Sequence, residues 1–174
     1  FTVSADNTAS VGTSQIEIVN LASAHKLVST TTYAGPTTAV GAGTLNIALG
    51  SSSFSVNIVG GQNNTLAGIR DAINNASGNE GVTASILTSS DGLGGTVSRL
   101  VLSSDDSGAA NSISVSVTGD SDGNDTDNTG LSAFLNANME QKSSAADALI
   151  RVDGFDVYSS TNVIDDAIQG VTIT

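Results

Sequence analysis

The sequence predicts a mainly β, α+β protein. It divides into two small β-rich modules with antiparallel strands, the second inserted in the first and carrying one amphipathic helix. Three observations carry this reading. Short runs that alternate apolar and polar residues recur along the chain, each bounded by Gly, Ser, Asn or Asp. One stretch alone, "TLAGIRDAINNAS" from Thr65 to Ser77, switches to the three-and-four spacing of a helix. The first and last blocks each lack a second apolar layer, whereas the middle block has one.

The elements follow in chain order. Phe1 and Val3 lie on one face of a short extended run that ends in the turn-rich "SADNTAS". "SQIEIVNLA" alternates Ile16 and Ile18 with Gln15 and Glu17, a half-buried strand. "TYAGPTTAVGAG", Thr32 to Gly43, holds the only Pro and has no periodicity, so it reads as a linker and a domain boundary. "TLNIALG" and "FSVNIVGG" alternate Leu45, Ile47, Leu49 and then Phe54, Val56, Ile58, a β-hairpin. Asn64 or Thr65 can cap the helix, whose stripe is Leu66, Ile69, Ile73 and Ala76; Asn75 and Gly78 stop it. "VTASI", "RLVLSS" and "SISVSV" are further strands, the first two joined by the turn "SSDGLGG". The middle block thus reads β-β-α-β-β-β, with the helix as the lid on an apolar sheet face.

After the acidic loop Gly119 to Gly130, "LSAFLNANM" places Leu131, Phe134, Leu135 and Met139 as a short helix that Asn128 or Thr129 can cap. "LIRVDGFDV" puts Asp153-Gly154 between two alternating runs, a hairpin with a type I′ turn. "TNVIDDAIQG" reads as one helical turn, capped by Thr161 or Asn162 and stopped at Gly170, before the strand "VTIT". The expected division is residues 1–38 plus 137–174 for the first module and 39–136 for the inserted one. The two chain ends should then lie close together.

Composition narrows the function. Aromatic residues are 3% and Trp is absent, so the core must be Val, Ile, Leu and Ala. The formal net charge is −12 with five Lys and Arg and no basic run, which argues against nucleic acid and against anionic lipid surfaces. There is no Cys, hence no disulfide, thiol nucleophile or thiolate metal site. No apolar run approaches the roughly 20 residues of a membrane-spanning helix. Phe1 follows no Met and no signal peptide is visible, so the chain reads as an excised piece of a longer one.

Candidate chemistry is sparse. His25 is the only histidine, and with no orienting partner in view it reads as a surface or turn residue. No G-x-S-x-G, P-loop or H-E-x-x-H occurs. "GLGG" at Gly92 to Gly95 lacks the following helix and Lys of a phosphate cradle. The metal candidate is "DSDGNDTDN", with Asp120, Asp122, Asp125 and Asp127. Gly123 stands fourth rather than sixth and Leu131 takes the place of the bidentate Glu, so the EF-hand pattern fails. The expectation is no catalytic residue, no cofactor and no metal, with weak calcium binding by those four Asp as the alternative.

At this point the residues resemble a known family. "LASAHKLVS", "TLAGIRDAINNAS", "GVTASI", "RLVLSSDDSGAANSISV" and "AADALIRVDGFDVYSSTNVIDDAIQGVTI" stand in the order found in bacterial flagellar filament-cap proteins, the FliD family. "RDAIN" resembles the flagellin IN motif. The resemblance marks Leu66, Ile69, Asp71, Ile73, Asn74, Asp153, Gly154, Asn162 and Gly170 as structural motif residues. The three aliphatic ones read as core rather than partner contacts.

The resemblance implies a structural assembly protein at the distal tip of the filament, outside the cell, exported by the flagellar type III route. There it promotes flagellin polymerisation and prevents monomer leakage. It implies a homo-oligomer in the full-length protein, with flagellin and hook–filament junction proteins as partners. It further implies an export chaperone acting on terminal parts, and in some bacteria a host mucin or surface receptor. Family members carry long coiled-coil terminal helices; this chain has no heptads, so it resembles the β-rich head domains alone. Any oligomer it forms by itself would rest on head-to-head contacts. Two alternatives stand beside this: an outer domain of a flagellin or another hook-associated protein, and a secreted calcium-dependent adhesin module.

Overall fold

The structure, a computed structural model, describes residues 1–174. Thirteen strands and one α-helix form it: β1 Val3–Ala5, β2 Ile16–Asn20, β3 Ala24–Ser29, β4 Gly43–Leu49, β5 Ser52–Ile58, α1 Leu66–Asn74, β6 Val82–Ser90, β7 Thr96–Ser107, β8 Ile113–Thr118, β9 Met139–Ser143, β10 Ala148–Val152, β11 Phe155–Ser159, β12 Ile164–Ile168 and β13 Val171–Ile173. Every strand pairing is antiparallel. The strands make four sheets, ordered β5-β4-β8, β6-β7-β3-β9, β11-β10-β2 and β1-β13-β12.

The first two sheets share one core. Alternation aims Leu45 and Ile47 of β4 inward, opposite Val56 and Phe54 of β5 and Val117 and Val115 of β8. Leu27, Val82, Ala84, Leu100, Leu102 and Met139 come from the other sheet, and 19 buried residues form one cluster. Helix α1 packs on β5 and β6, one edge strand from each sheet. It closes the open side of a sandwich, where the sequence suggested a lid on a single sheet. A nine-residue helix is marginal alone, so this packing holds it. Leu66, Ile69 and Ile73 are fully buried, each contributing about 1.5–3 kcal/mol. Thr65 caps the helix, its hydroxyl accepting the Gly68 N–H at 3.1 Å, and Asn75 ends it.

The other two sheets, built from both ends of the chain, meet around only three buried residues, Ile150, Ile164 and Ile173. Thr2 and Thr174 exchange both backbone hydrogen bonds, at 2.6 and 2.9 Å, so the two ends do lie together.

The structure departs from the sequence reading in four places. Residues 24–29 and 139–143 sit in the sheet of β6 and β7, not with the terminal strands, so pairing does not respect a line at 38 and 137. The Thr32–Gly43 linker lies within the larger body, held by backbone bridges from Tyr33 to Ser98 and from Ala39 to Thr65. "LSAFLNANM" forms two 3₁₀ segments, Gly130–Phe134 and Asn136–Asn138, and Met139 begins β9; Thr129 makes no side-chain cap. The expected helical turn at 161–170 is strand β12. A register shift there lets Ile164 pair with Ile173 and Ile168 with Val171.

Ile69→Ala should cost about 2–5 kcal/mol in urea unfolding, because a fully buried side chain would leave a cavity. The neighbouring partly exposed Arg70→Ala should stay within about 0.5 kcal/mol of the parent.

Candidate functional site

The motif residues build a hydrogen-bonded frame rather than a reactive centre. At the end of α1, Asn74 Nδ2 donates to the Ala84 carbonyl at 2.9 Å and its Oδ1 accepts the Ala84 N–H at 2.7 Å. Asn79 repeats the device. Its Nδ2 donates to the carbonyls of Ile73 and Val82 at 3.0 and 2.8 Å, and its Oδ1 accepts the Val82 N–H at 2.9 Å. Two asparagine amides thus lock the helix end onto the start of β6. An amide suits the task because it matches a backbone donor and acceptor at once. Asp71, by contrast, stays exposed and pairs with Arg70 at 2.6 Å.

In the smaller body, Asp153 holds φ 51° and Gly154 φ 87°, the positive pair a type I′ turn requires. Asp153 Oδ1 also accepts the Gln15 N–H at 2.8 Å, tying the hairpin to the start of β2. Gly170 turns β12 into β13 at φ 72°, and a Cβ there would come within 2.5 Å of Ala9 N. Only glycine admits the Asp6–Ala9 turn so closely.

Asn162 makes a third amide clamp. Its Oδ1 accepts the Ala22 N–H at 2.8 Å and its Nδ2 donates to the Ala22 carbonyl at 3.1 Å. Beside it, Ser23 and Ala146 exchange backbone hydrogen bonds at 2.9 and 3.1 Å. Asp147 Oδ1 accepts the Ala109 N–H at 2.8 Å, and Ser107 Oγ donates to the Ser160 carbonyl at 2.8 Å. These groups form a polar neck between the two bodies.

His25 corrects the sequence expectation. It is 3% exposed, with its side chain between two strands rather than on a surface or turn. Nδ1 accepts the Ile113 N–H at 2.8 Å, so the ring proton sits on Nε2, which donates to Gln141 Oε1 at 3.0 Å. Both partners lie far away in sequence, which is why composition hid them. The histidine joins the two sheets of the sandwich and has no free nitrogen for acid–base work.

Most carboxylates of the acidic loop accept from neighbouring donors, while Asp120 Oδ1 is buried without a hydrogen-bond partner. Asp120 is buried and its Oδ2 accepts the Ser132 N–H at 2.7 Å; Asp125 accepts the Asp120 N–H at 2.7 Å. Asp122 and Asp127 both accept the Thr129 hydroxyl, at 2.7 and 2.9 Å. No group of three or more His, Asp or Glu side chains is disposed to hold a metal ion. The Tyr33 hydroxyl, pushed up to about 12 by burial and then by the Asp120 charge, packs its ring on Phe134 with centroids 6.0 Å apart.

A family model described as the flagellin hook IN motif matches residues 44–106, which run from β4 to β7. The chain is 38% identical to the B-type flagellar hook-associated protein 2 of Pseudomonas aeruginosa, over 97% of this chain and 36% of that protein. It spans about a third of the length of the curated relatives it matches. The crystal structure of the D2-D3 domains of the flagellar cap protein FliD from Escherichia coli superposes with a TM-score of 0.80 at 32% identity, covering 98% of this chain and 84% of that one. FliD from Pseudomonas aeruginosa PAO1 gives 0.76 at 34% identity, covering 98% and 76%.

Two predictions follow from this geometry. Asn79→Ala strands several backbone groups and should cost about 1–3 kcal/mol, with hydrogen-exchange protection falling first at Val82 and Ala84. The second concerns pH. The Thr129 hydroxyl and then the Asn124 N–H hold the Asp122 carboxyl below its ordinary 3.8. Those bonds are intact above that ordinary value and are lost as pH falls through the lowered one. Carboxyl NMR titration of Thr129→Val should move the Asp122 midpoint back up.

Proposed function

The chain belongs to the FliD family of flagellar cap proteins, and on that premise we propose that it forms the head region of a cap at the distal filament tip. In this reading it is a structural protein outside the cell, exported by the flagellar type III route. It assembles with copies of itself, helps flagellin polymerise and keeps monomers from leaking away. The observation that carries the reading is the likeness to the Escherichia coli FliD D2-D3 domains across 98% of this chain.

The division into two modules belongs to the same proposal, drawn at the neck near residues 22–23 and 146–147. The backbone bridge from Ser23 to Ala146 and the separation of the two apolar clusters support it. Contacts with flagellin, with hook–filament junction proteins and, on cells that use the cap for adhesion, with a host receptor would then fall on the surfaces of these modules.

Immunogold electron microscopy on intact cells tests the reading. Label confined to the filament tip is expected, together with flagellin released into the medium when this region is deleted. Label along the filament would assign the chain to a flagellin-type outer domain. Label on the cell body alone would overturn both.

A further inference from the structure

Three Asn-x-Ser/Thr triplets occur in the chain: Asn63-Asn64-Thr65, Asn75-Ala76-Ser77 and Asn124-Asp125-Thr126. The pattern is that of an acceptor for a sugar on the asparagine amide, and it requires a surface site. Two of the three amides are committed to the fold. Asn63 Oδ1 accepts the Val59 N–H at 2.7 Å and its Nδ2 donates to the Asn57 carbonyl at 3.2 Å. The threonine of that triplet, Thr65, is occupied as the cap of α1. Asn75 ends α1, with Nδ2 donating to the Asp71 carbonyl at 2.7 Å. A sugar on either nitrogen would crowd the carbonyl that the amide now holds.

Asn124 is arranged differently. It lies exposed in the loop between β8 and the Gly130–Phe134 segment. Its backbone is pinned on both sides: the N–H donates to Asp122 Oδ1 at 3.0 Å, and the carbonyl accepts the Ser132 hydroxyl at 3.0 Å. Its side-chain oxygen accepts two donors from the third residue of the triplet, the Thr126 N–H at 3.1 Å and the Thr126 hydroxyl at 2.9 Å. All of its side-chain bonding is thus on Oδ1, and Nδ2 faces outward with both protons free. Donors on Oδ1 draw electron density out of the amide and favour the imidate, in which Nδ2 has given up a proton and is a nucleophile. We propose that Asn124 is a glycosylation acceptor, to which a separate transferase adds a hexose from a nucleoside diphosphate sugar. The bond from Nδ2 to C1 of the sugar forms as the bond from C1 to the diphosphate oxygen breaks. The nucleoside diphosphate leaves with the electron pair, and the amide proton passes to a base of the transferase. Thr126 is the positioning residue. The proposal concerns this loop alone and does not depend on where the protein assembles.

The test is peptide mass spectrometry of the protein recovered from the cells that make it, with circular dichroism confirming the fold of each variant. The peptide that contains Asn124 should carry a hexose-sized increment, with fragmentation placing it on the asparagine. The peptides that contain Asn63 and Asn75 should be bare. Asn124→Gln keeps the backbone bonds of the loop and should lose the increment entirely. Thr126→Val removes the hydroxyl donor and should also lose it, whereas Thr126→Ser restores the donor and should keep it. A merely structural role for Thr126 would not produce that split. A bare Asn124 in the parent protein would overturn the proposal. So would an increment that survives Asn124→Gln, which would place the sugar on a serine or threonine hydroxyl, or an increment on Asn63 or Asn75 in place of Asn124. Gold label at the filament tip is expected whichever result is found, so this inference and the functional reading fail separately.

Discussion

The bridge between Ser23 and Ala146 is the constraint on which the rest of the structure depends. It sits where two antiparallel pairs continue into each other, β2 with β10 on one side and β3 with β9 on the other. The chain leaves the smaller body and returns to it at the same point, after a loop of roughly 120 residues whose closure costs conformational entropy. The larger sandwich repays that cost by folding around its own core. The two bodies have separate apolar clusters, so their junction is held by hydrogen bonds to backbone from Asn162, Asp147 and Ser107. Such bonds are directional, and they fix an angle where a greasy interface would permit sliding.

The same economy governs charge. A protein at −12 must keep its carboxylates apart or occupied. Here many of them stabilise turns: Asp6 accepts from Thr8, Asp91 from the Leu93 and Gly95 amides, and Asp122 from Thr129 and Asn124. Each of these three carboxyls is held below the ordinary value by those donors. The acidic loop is built as a series of turns in which Asp122, Asp125 and Asp127 accept from neighbouring groups. Its conformation follows from local donors, with Asp120 anchoring it to the start of the Gly130–Phe134 segment.

Elements with local signals were legible in the sequence. Thr65, the Leu66–Ile69–Ile73 stripe and Asn75 defined α1, and Asp153-Gly154 defined the hairpin, because capping, periodicity and turn chemistry all act within a few residues. What stayed hidden depends on distant partners. Nothing near His25 announces Ile113 or Gln141. Nothing near Lys26 announces that β3 crosses into the sheet of β7 and β9. Asn79 went unnoticed because it follows the helix stop and reads as a loop residue, yet it bonds four backbone groups where the motif residue Asn74 bonds two. "TNVIDDAIQG" misled because its cap and stop residues, Thr161, Asn162 and Gly170, equally bound a short strand that pairs with the chain end.

The two bodies cannot be equally robust. Nineteen buried side chains support one and three isoleucines the other, and the chain supplies almost no aromatic area to compensate. The sheet β1-β13-β12 is short, and its register is interrupted within β12. Local opening should therefore begin in the smaller body and stop at the neck, where Asn162 and the Ser23–Ala146 bridge meet the larger sandwich. The smaller body draws its order from what it is attached to: β2 and β10 are pinned at the neck, and the terminal strands are pinned to each other through Thr2 and Thr174. A rigid sandwich on a base of low intrinsic stability divides the labour in a way the sequence alone could not reveal. The strongest periodic signal and the largest core lie in the inserted segment, while the ends of the chain depend on being brought together.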